Sequence, residues 1–211
     1  MALKKSKREN KFLKSINESK IEDGNVEIQD HLLKSYKEKT AQVIDKVVEI
    51  GLPKENEQLR IITMKSFNSI ALINYVAEKE TIKSATLIIF AINIQAAKLL
   101  LELFNAGKIQ ELELVISSIR NAGYSIKSKA VELLSKEKRI KMMFVNSHAK
   151  ISAIHTREDN YYVIEGSGNF SYNGRIEQYI IDNDKKIYNF TLNWVEEMKT
   201  KMKTKDLLIV N

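Results

Sequence analysis

The stretch "ATLIIFAI", residues 85–92, decides the fold class. It holds no charged residue, and a continuous apolar run of this length suits a strand buried on both faces. Upstream, "LRIITMK" (59–65) predicts another strand and "FNSIALINYVAEKE" (67–80) a helix. Downstream, Asn93 is placed to cap a helix in which Ile94, Ala97, Leu101 and Phe104 recur until Gly107 ends it. "LELVISSI" (112–119) is the next strand, and "NAGY" leads into a helix from about Ser125 to Lys138. The rhythm then changes to strands: "KMMFVN", "HAKISAI", "NYYVIEG" and "EQYIID", with "TREDN" (156–160) as a hairpin turn. A helix over 185–201 carries Tyr188, Leu192, Trp194 and Val195. Alternation followed by a run of strands predicts an α/β fold, a mixed β-sheet flanked by helices.

Before that domain, which is expected over residues 54–211, the chain reads differently. Residues 1–25 are polar and charged and predict a basic flexible tail. Residues 26–53 predict an amphipathic helix, an N-terminal helical extension. Leu32, Leu33, Tyr36, Val43, Val47 and Ile50 share a face, and "GLP" stops it at Gly51 to Pro53. It suits covering the chain's own sheet or pairing with a partner.

Bulk composition narrows the function classes. With 211 residues and 44% hydrophobic content the chain can bury a core without staples. It has no cysteine, which removes disulfides, thiolate nucleophiles and cysteine zinc sites. The longest greasy run, Leu87 to Ile92, is far short of the roughly 20 residues of a helical membrane span. The first residues lack the apolar stretch of a secretory signal, so the expectation is a cytoplasmic protein with no membrane contact. The net charge is +7, and residues 1–20 and 124–150 each hold seven basic against two acidic residues. The second cluster runs into His148, and such a field attracts a polyanion; the alternative is a solvated lysine-rich surface.

"NSHAKISAI" (146–154) and "GSGNF" (166–170) carry the chemistry. On a strand His148, Lys150 and Ser152 would project together, as would Ser167 and Asn169. Gly166 and Gly168 would leave room for a ligand to approach the backbone. Pairing through the 156–160 turn would bring the two segments side by side. An imidazole can attack phosphorus while Lys150 and Asn169 hold the charged oxygens, with no metal or cofactor required.

"HAK" followed by "GSGNFS" resembles the phospholipase D superfamily, whose motif runs His-x-Lys, an acidic residue, then Gly-Ser-x-Asn. The likeness covers residues 59–200, with its specificity in 148–177. It is greatest to the short nuclease branch, where each chain carries one motif and two chains complete the site. The resemblance implies that His148 forms a phosphohistidine, Lys150 and Asn169 bind phosphate, Ser167 assists, and Glu177 orients the histidine. One position departs. The acidic residue expected five after the lysine is His155, which on a regular strand points away from the pocket. Glu158 and Asp159, in the turn, are its nearest substitutes.

These residues predict a metal-independent phosphodiesterase, a nuclease acting on nucleic acid, DNA before RNA. They also predict a homodimer, because displacement at phosphorus needs a nucleophile and a general acid and only one His-x-Lys occurs. The alternatives are a catalytically inactive nucleic-acid-binding protein that retains the phosphate pocket, and a phospholipid hydrolase. For His148 itself the plainer reading is an ordinary core or hydrogen-bonded histidine, while His31 and His155 read as surface or structural residues. Tyr161, Tyr162, Tyr172 and Tyr179 suit either base stacking or the core.

Overall fold

The computed structural model describes residues 47–63, 69–118, 128–171, 176–201 and 208–210. The tail 1–25, most of the helix expected over 26–53, and Tyr172 lie outside the described residues; residues 47–50 are helical, and Val47 joins the core. The elements are β1 (Gln58–Thr63), α1 (Ser69–Lys79), β2 (Ile82–Ile89), α2 (Ile94–Asn105), β3 (Ile109–Ser117) and α3 (Lys129–Ser135). There follow β4 (Lys141–Val145), β5 (Ile151–Thr156), β6 (Tyr161–Gly166), β7 (Glu177–Asn183), α4 (Lys185–Lys201) and β8 (Leu208–Val210).

They form a mixed sheet in the order β1-β7-β6-β5-β2-β3-β4-β8. β2, β3 and β4 run parallel, joined through α2 and α3, and every other neighbouring pair is antiparallel. Because β2 is central, Leu87, Ile88 and Ile89 are buried on both sides, as the uncharged run requires. On one face Leu87, Leu114, Phe144, Ile154 and Ile164 pack with Ile70, Leu100 and Leu134 of the three shorter helices. On the other, Val195 of α4 meets Ile88, Val115 and Met143, while Tyr188 meets Ala153 and Val163. The helix expected over 185–201 therefore covers the second face alone among the described residues.

Local signals set several boundaries. Asn93 Oδ1 accepts from Ala96 N at 2.8 Å, and Gly107 leaves α2 with φ +71°. Ser128 caps α3, so that helix starts at Lys129, later than its periodicity predicts. β5 also starts later than expected: residues 146–150 are the connection from β4, and His148 is not in a strand. Strand alternation therefore does not place His148 beside Lys150 and Ser152, and Ser152 is buried at 1% exposure. β8 has no counterpart in the sequence reading, since three residues are too few for a period to register.

The registers bring many strand ends to one edge. Ile88 pairs Ile151, Ile151 pairs Glu165, Gly166 pairs Tyr179, and Thr63 pairs Glu177. The carboxyl ends of β1, β2, β3, β4 and β6 thus share an edge with the starts of β5 and β7. In open α/β sheets that edge is where ligands bind.

Candidate active site

The loop after β6 is pinned from four directions. Ser167 N donates to Gln178 O at 3.0 Å, and Gln178 N donates to Ser167 Oγ at 3.1 Å. Ser69 Oγ, at the start of α1, donates to Gly168 O at 3.1 Å. Phe170 N donates to Ala91 O at 2.9 Å, and Asn93 N to Phe170 O at 2.8 Å. With its backbone so occupied, the loop holds Ser167 and Asn169 on rigid elements.

Gly166 and Gly168 have a different use from the one their sequence suggests. A Cβ on Gly166 would run into the Tyr179 ring and lie 2.6 Å from Gln178 O. A Cβ on Gly168 would collide with the Tyr179 hydroxyl, with Cζ at 2.9 Å. The space they leave is taken by Tyr179, a side chain 1% exposed, and not by a ligand.

On the other side of the site stand His148 and Lys150. Lys150 Nζ lies 3.3 Å from His148 Nδ1 and donates to the His148 carbonyl at 3.1 Å. Both side chains rest on Phe90, the residue after β2: its ring centroid is 4.2 Å from that of His148 and 5.2 Å from Lys150 Nζ. Burial pushes the Lys150 ammonium below its ordinary range, and attraction to Glu177 opposes that shift.

Glu177 opens β7 and is buried at 5% exposure. Its carboxylate accepts a hydrogen bond from Ser167 Oγ, and its backbone N donates to Thr63 Oγ1 at 3.3 Å. Asn169 is partly buried, with Oδ1 enclosed and accepting nothing from the described residues. Four of the five sequence-predicted residues thus form two bonded pairs at one sheet edge, His148 with Lys150 and Ser167 with Glu177, and Asn169 belongs to neither. Lys150 and Glu177 couple the pairs electrostatically.

His155 is elsewhere. It lies at the far end of β5, opposite Ser84 and Tyr161. Its Nε2 is 3.0 Å from Asp159 Oδ1, and its ring stacks on Tyr161 at 4.4 Å and 10°. The bond from His155 holds the exposed Asp159 carboxyl below its usual range. His155 occupies the position where the motif's acid is expected, and Asp159 is its hydrogen-bond partner. Tyr162 and Tyr179 are core residues, and Tyr162 donates to Glu80 at 2.9 Å, so neither offers a face to a base.

Four residues of the basic run before His148 do not surround it. Lys136, Lys138 and Arg139 precede β4 and Lys141 begins it, at the opposite edge from His148. Five residues of strand separate the two, roughly 17 Å at 3.3 Å per residue. Arg139 is occupied there by Glu137 at 2.8 Å and by the Phe104 ring. Sequence reasoning missed Phe90, Ser69 and Thr63, whose places depend on strand order. No sequence signal separates Phe90 from its apolar neighbours.

No protein-family model matches the chain, and no curated protein sequence does. Solved structures do. Nuc from Salmonella typhimurium, a phospholipase D family member, superposes with a TM-score of 0.51 at 14% identity, covering 70% of this chain and 97% of its own. The chain shares the fold of this phospholipase D family member. Polyphosphate kinase from Porphyromonas gingivalis superposes with a TM-score of 0.52 at 11% identity over 70% of this chain. This chain spans only 27% of that kinase, but nearly all of Nuc. Within this phospholipase D fold, no helix of the described residues is long and apolar enough to cross a membrane.

Proposed function

We propose that this chain is a metal-independent phosphodiesterase, a nuclease that cleaves nucleic acid, DNA before RNA, through a phosphohistidine on His148. The observation that carries the reading is the pairing of Lys150 Nζ with His148 Nδ1 at 3.3 Å, on the edge that also holds Ser167 and Glu177. An ammonium beside an imidazole joins a phosphate anchor to a nucleophile.

The steps follow from the groups. A His148 nitrogen lone pair forms a bond to phosphorus, and charge grows on the non-bridging oxygens. Lys150 and Asn169 donate to those oxygens, and Ser167, held by Glu177, supports them. The bond from phosphorus to the leaving oxygen breaks, and that oxygen takes a proton from a second imidazole. Water then attacks phosphorus, the P–N bond breaks, and the proton lost by water returns to that imidazole.

One His148 cannot attack and donate at once. The second imidazole is His148 of another copy, brought to a two-fold axis in a homodimer, and the two titrate as a coupled unit. Cleavage of plasmid and single-stranded DNA in excess chelator, with wild type beside His148→Ala, tests the activity. Chelator-resistant cleavage lost in His148→Ala is expected; activity that returns only with Mg²⁺ refutes the mechanism. Binding without cleavage by the wild type identifies the inactive nucleic-acid-binding protein instead. Subunit mixing tests the dimer: excess His148→Ala should depress wild-type activity beyond dilution.

A further inference from the structure

We propose that the backbone N–H of Asn169 is an anion donor of the site, aimed at a non-bridging oxygen of the phosphate and held in that direction by Ser69. The inference rests on the phosphodiesterase reading for its substrate, though not for the capture of an oxyanion.

Ser167, the obvious hydroxyl donor of the loop, has no hydrogen left to give. A hydroxyl carries one. That hydrogen goes to the Glu177 carboxylate, while the oxygen accepts from Gln178 N at 3.1 Å. The backbone N–H groups of Ser167 and Phe170 are taken as well, by Gln178 O and Ala91 O. Those of Gly168 and Asn169 meet no acceptor among the described residues. Gly168 is buried and Asn169 partly so. Buried backbone N–H groups are nearly always paired, so this stretch of loop has donor capacity to offer a ligand.

The direction of the Asn169 N–H is set by its own peptide. No described peptide is cis, and in a trans peptide the C=O and the N–H point opposite ways. The C=O of this peptide is Gly168 O, which accepts from Ser69 Oγ at 3.1 Å. Ser69 opens α1, which packs through Ile70 on one face of the sheet. The connection that carries His148 and Lys150 leans to the other face, where Ala149 and Ile151 pack with Ile88 and Val195. The loop runs between the two. It leaves β6, passes the start of β5, where Gly166 N meets Lys150 O at 3.4 Å, and is tied to Ala91 beyond β2. A carbonyl turned toward α1 therefore turns the Asn169 N–H toward the side of His148. A donor fixed in this way needs no reorganisation as charge grows on the phosphate oxygens. It reads the oxyanion and carries no information about the bases.

The test uses the full chain labelled with ¹³C-carbonyl glycine and ¹⁵N-asparagine. The sequence has two Gly-Asn pairs, Gly24–Asn25 and Gly168–Asn169, so two correlated N–H signals are expected and the first serves as a control. Loss of one signal in Asn169→Ala assigns the other. Inorganic phosphate is titrated in excess chelator, with binding followed in parallel by calorimetry. The Gly168–Asn169 proton should move downfield as phosphate saturates, while Gly24–Asn25 stays in place. In Asn169→Ala, relabelled with ¹⁵N-alanine, phosphate should bind more weakly, yet at saturation the N–H at position 169 should still move downfield. The sequence holds no other Gly-Ala pair to confuse it. Ser69→Ala should weaken phosphate binding by roughly two- to tenfold, the range set by loss of one hydrogen bond, and Ser69→Thr should recover it. A wild type that cleaves no bis(p-nitrophenyl) phosphate but shows the shift refutes the activity and supports the donor. An active wild type whose signal stays in place at saturating phosphate, or whose shift vanishes in Asn169→Ala, overturns the donor alone. A chain that binds no phosphate overturns it too, and equal binding by wild type and Ser69→Ala overturns the hold of Ser69.

Discussion

Replacing Gly168 with alanine separates two uses of a small residue at this site. The new Cβ would collide with the Tyr179 hydroxyl and lie 2.9 Å from Cζ. The ring cannot simply swing away, because Tyr179 is 1% exposed and packs in the main core. The loop cannot retreat cheaply either, since Gly168 O accepts from Ser69 and Phe170 is bonded on both sides. Overpacking of this kind costs about 1–3 kcal/mol. For a domain of this size each kcal/mol moves Tm by about 2–4 °C, so Gly168→Ala should melt roughly 2–12 °C lower. Tyr179→Phe removes the nearest clashing atom. In a double-mutant cycle followed by thermal and urea unfolding, the pair should therefore lose less than the sum of the singles, by about 0.5 kcal/mol or more. Strict additivity, or a Gly168→Ala that melts with wild type and merely weakens phosphate binding, would refute the reasoning. It would return Gly168 to the role its sequence suggests, room for a ligand.

Two further perturbations test the geometry. The Asp159 carboxyl is held below its ordinary value of 3.8 chiefly by the hydrogen bond from His155. A depressed carboxylate pKa adds stability that is present above the unfolded value and lost as pH falls through the folded one. The gap between wild type and Asp159→Asn in urea unfolding should therefore persist at neutral pH and close below about pH 4. A gap that widens in acid contradicts the pairing. In salt titrations of DNA binding, Lys150→Ala should flatten the log–log slope by about 0.7–0.9, whereas Lys141→Ala, at the far edge, should leave it as in wild type. Equal effects would mean that both edges meet the same nucleic acid.

How much of this was legible in the sequence follows from the range of the forces involved. The uncharged run 85–92 specified a buried strand, because only such a strand is apolar on both faces. Asn93 and Gly107 specified the ends of α2, because a cap and a left-handed residue act within a turn of their own backbone. His148, Lys150, Ser167, Asn169 and Glu177 stood out by residue type and spacing.

What joins them was decided elsewhere in the chain. Phe90 reaches His148 because β2 lies beside β5, a consequence of strand order that no local period encodes. Glu177 meets Ser167 through the pairing of β6 with β7, and Tyr179 fills the space beside the glycines for the same reason. Lys136 to Lys141 adjoin His148 in sequence yet stand at the opposite edge, because an extended strand carries its two ends apart. Sequence alone determined which groups were available and which of the longer segments would be strand or helix, through interactions between near neighbours. Tertiary structure alone decided which of them touch, because register and strand order arise from burying the whole sheet at once.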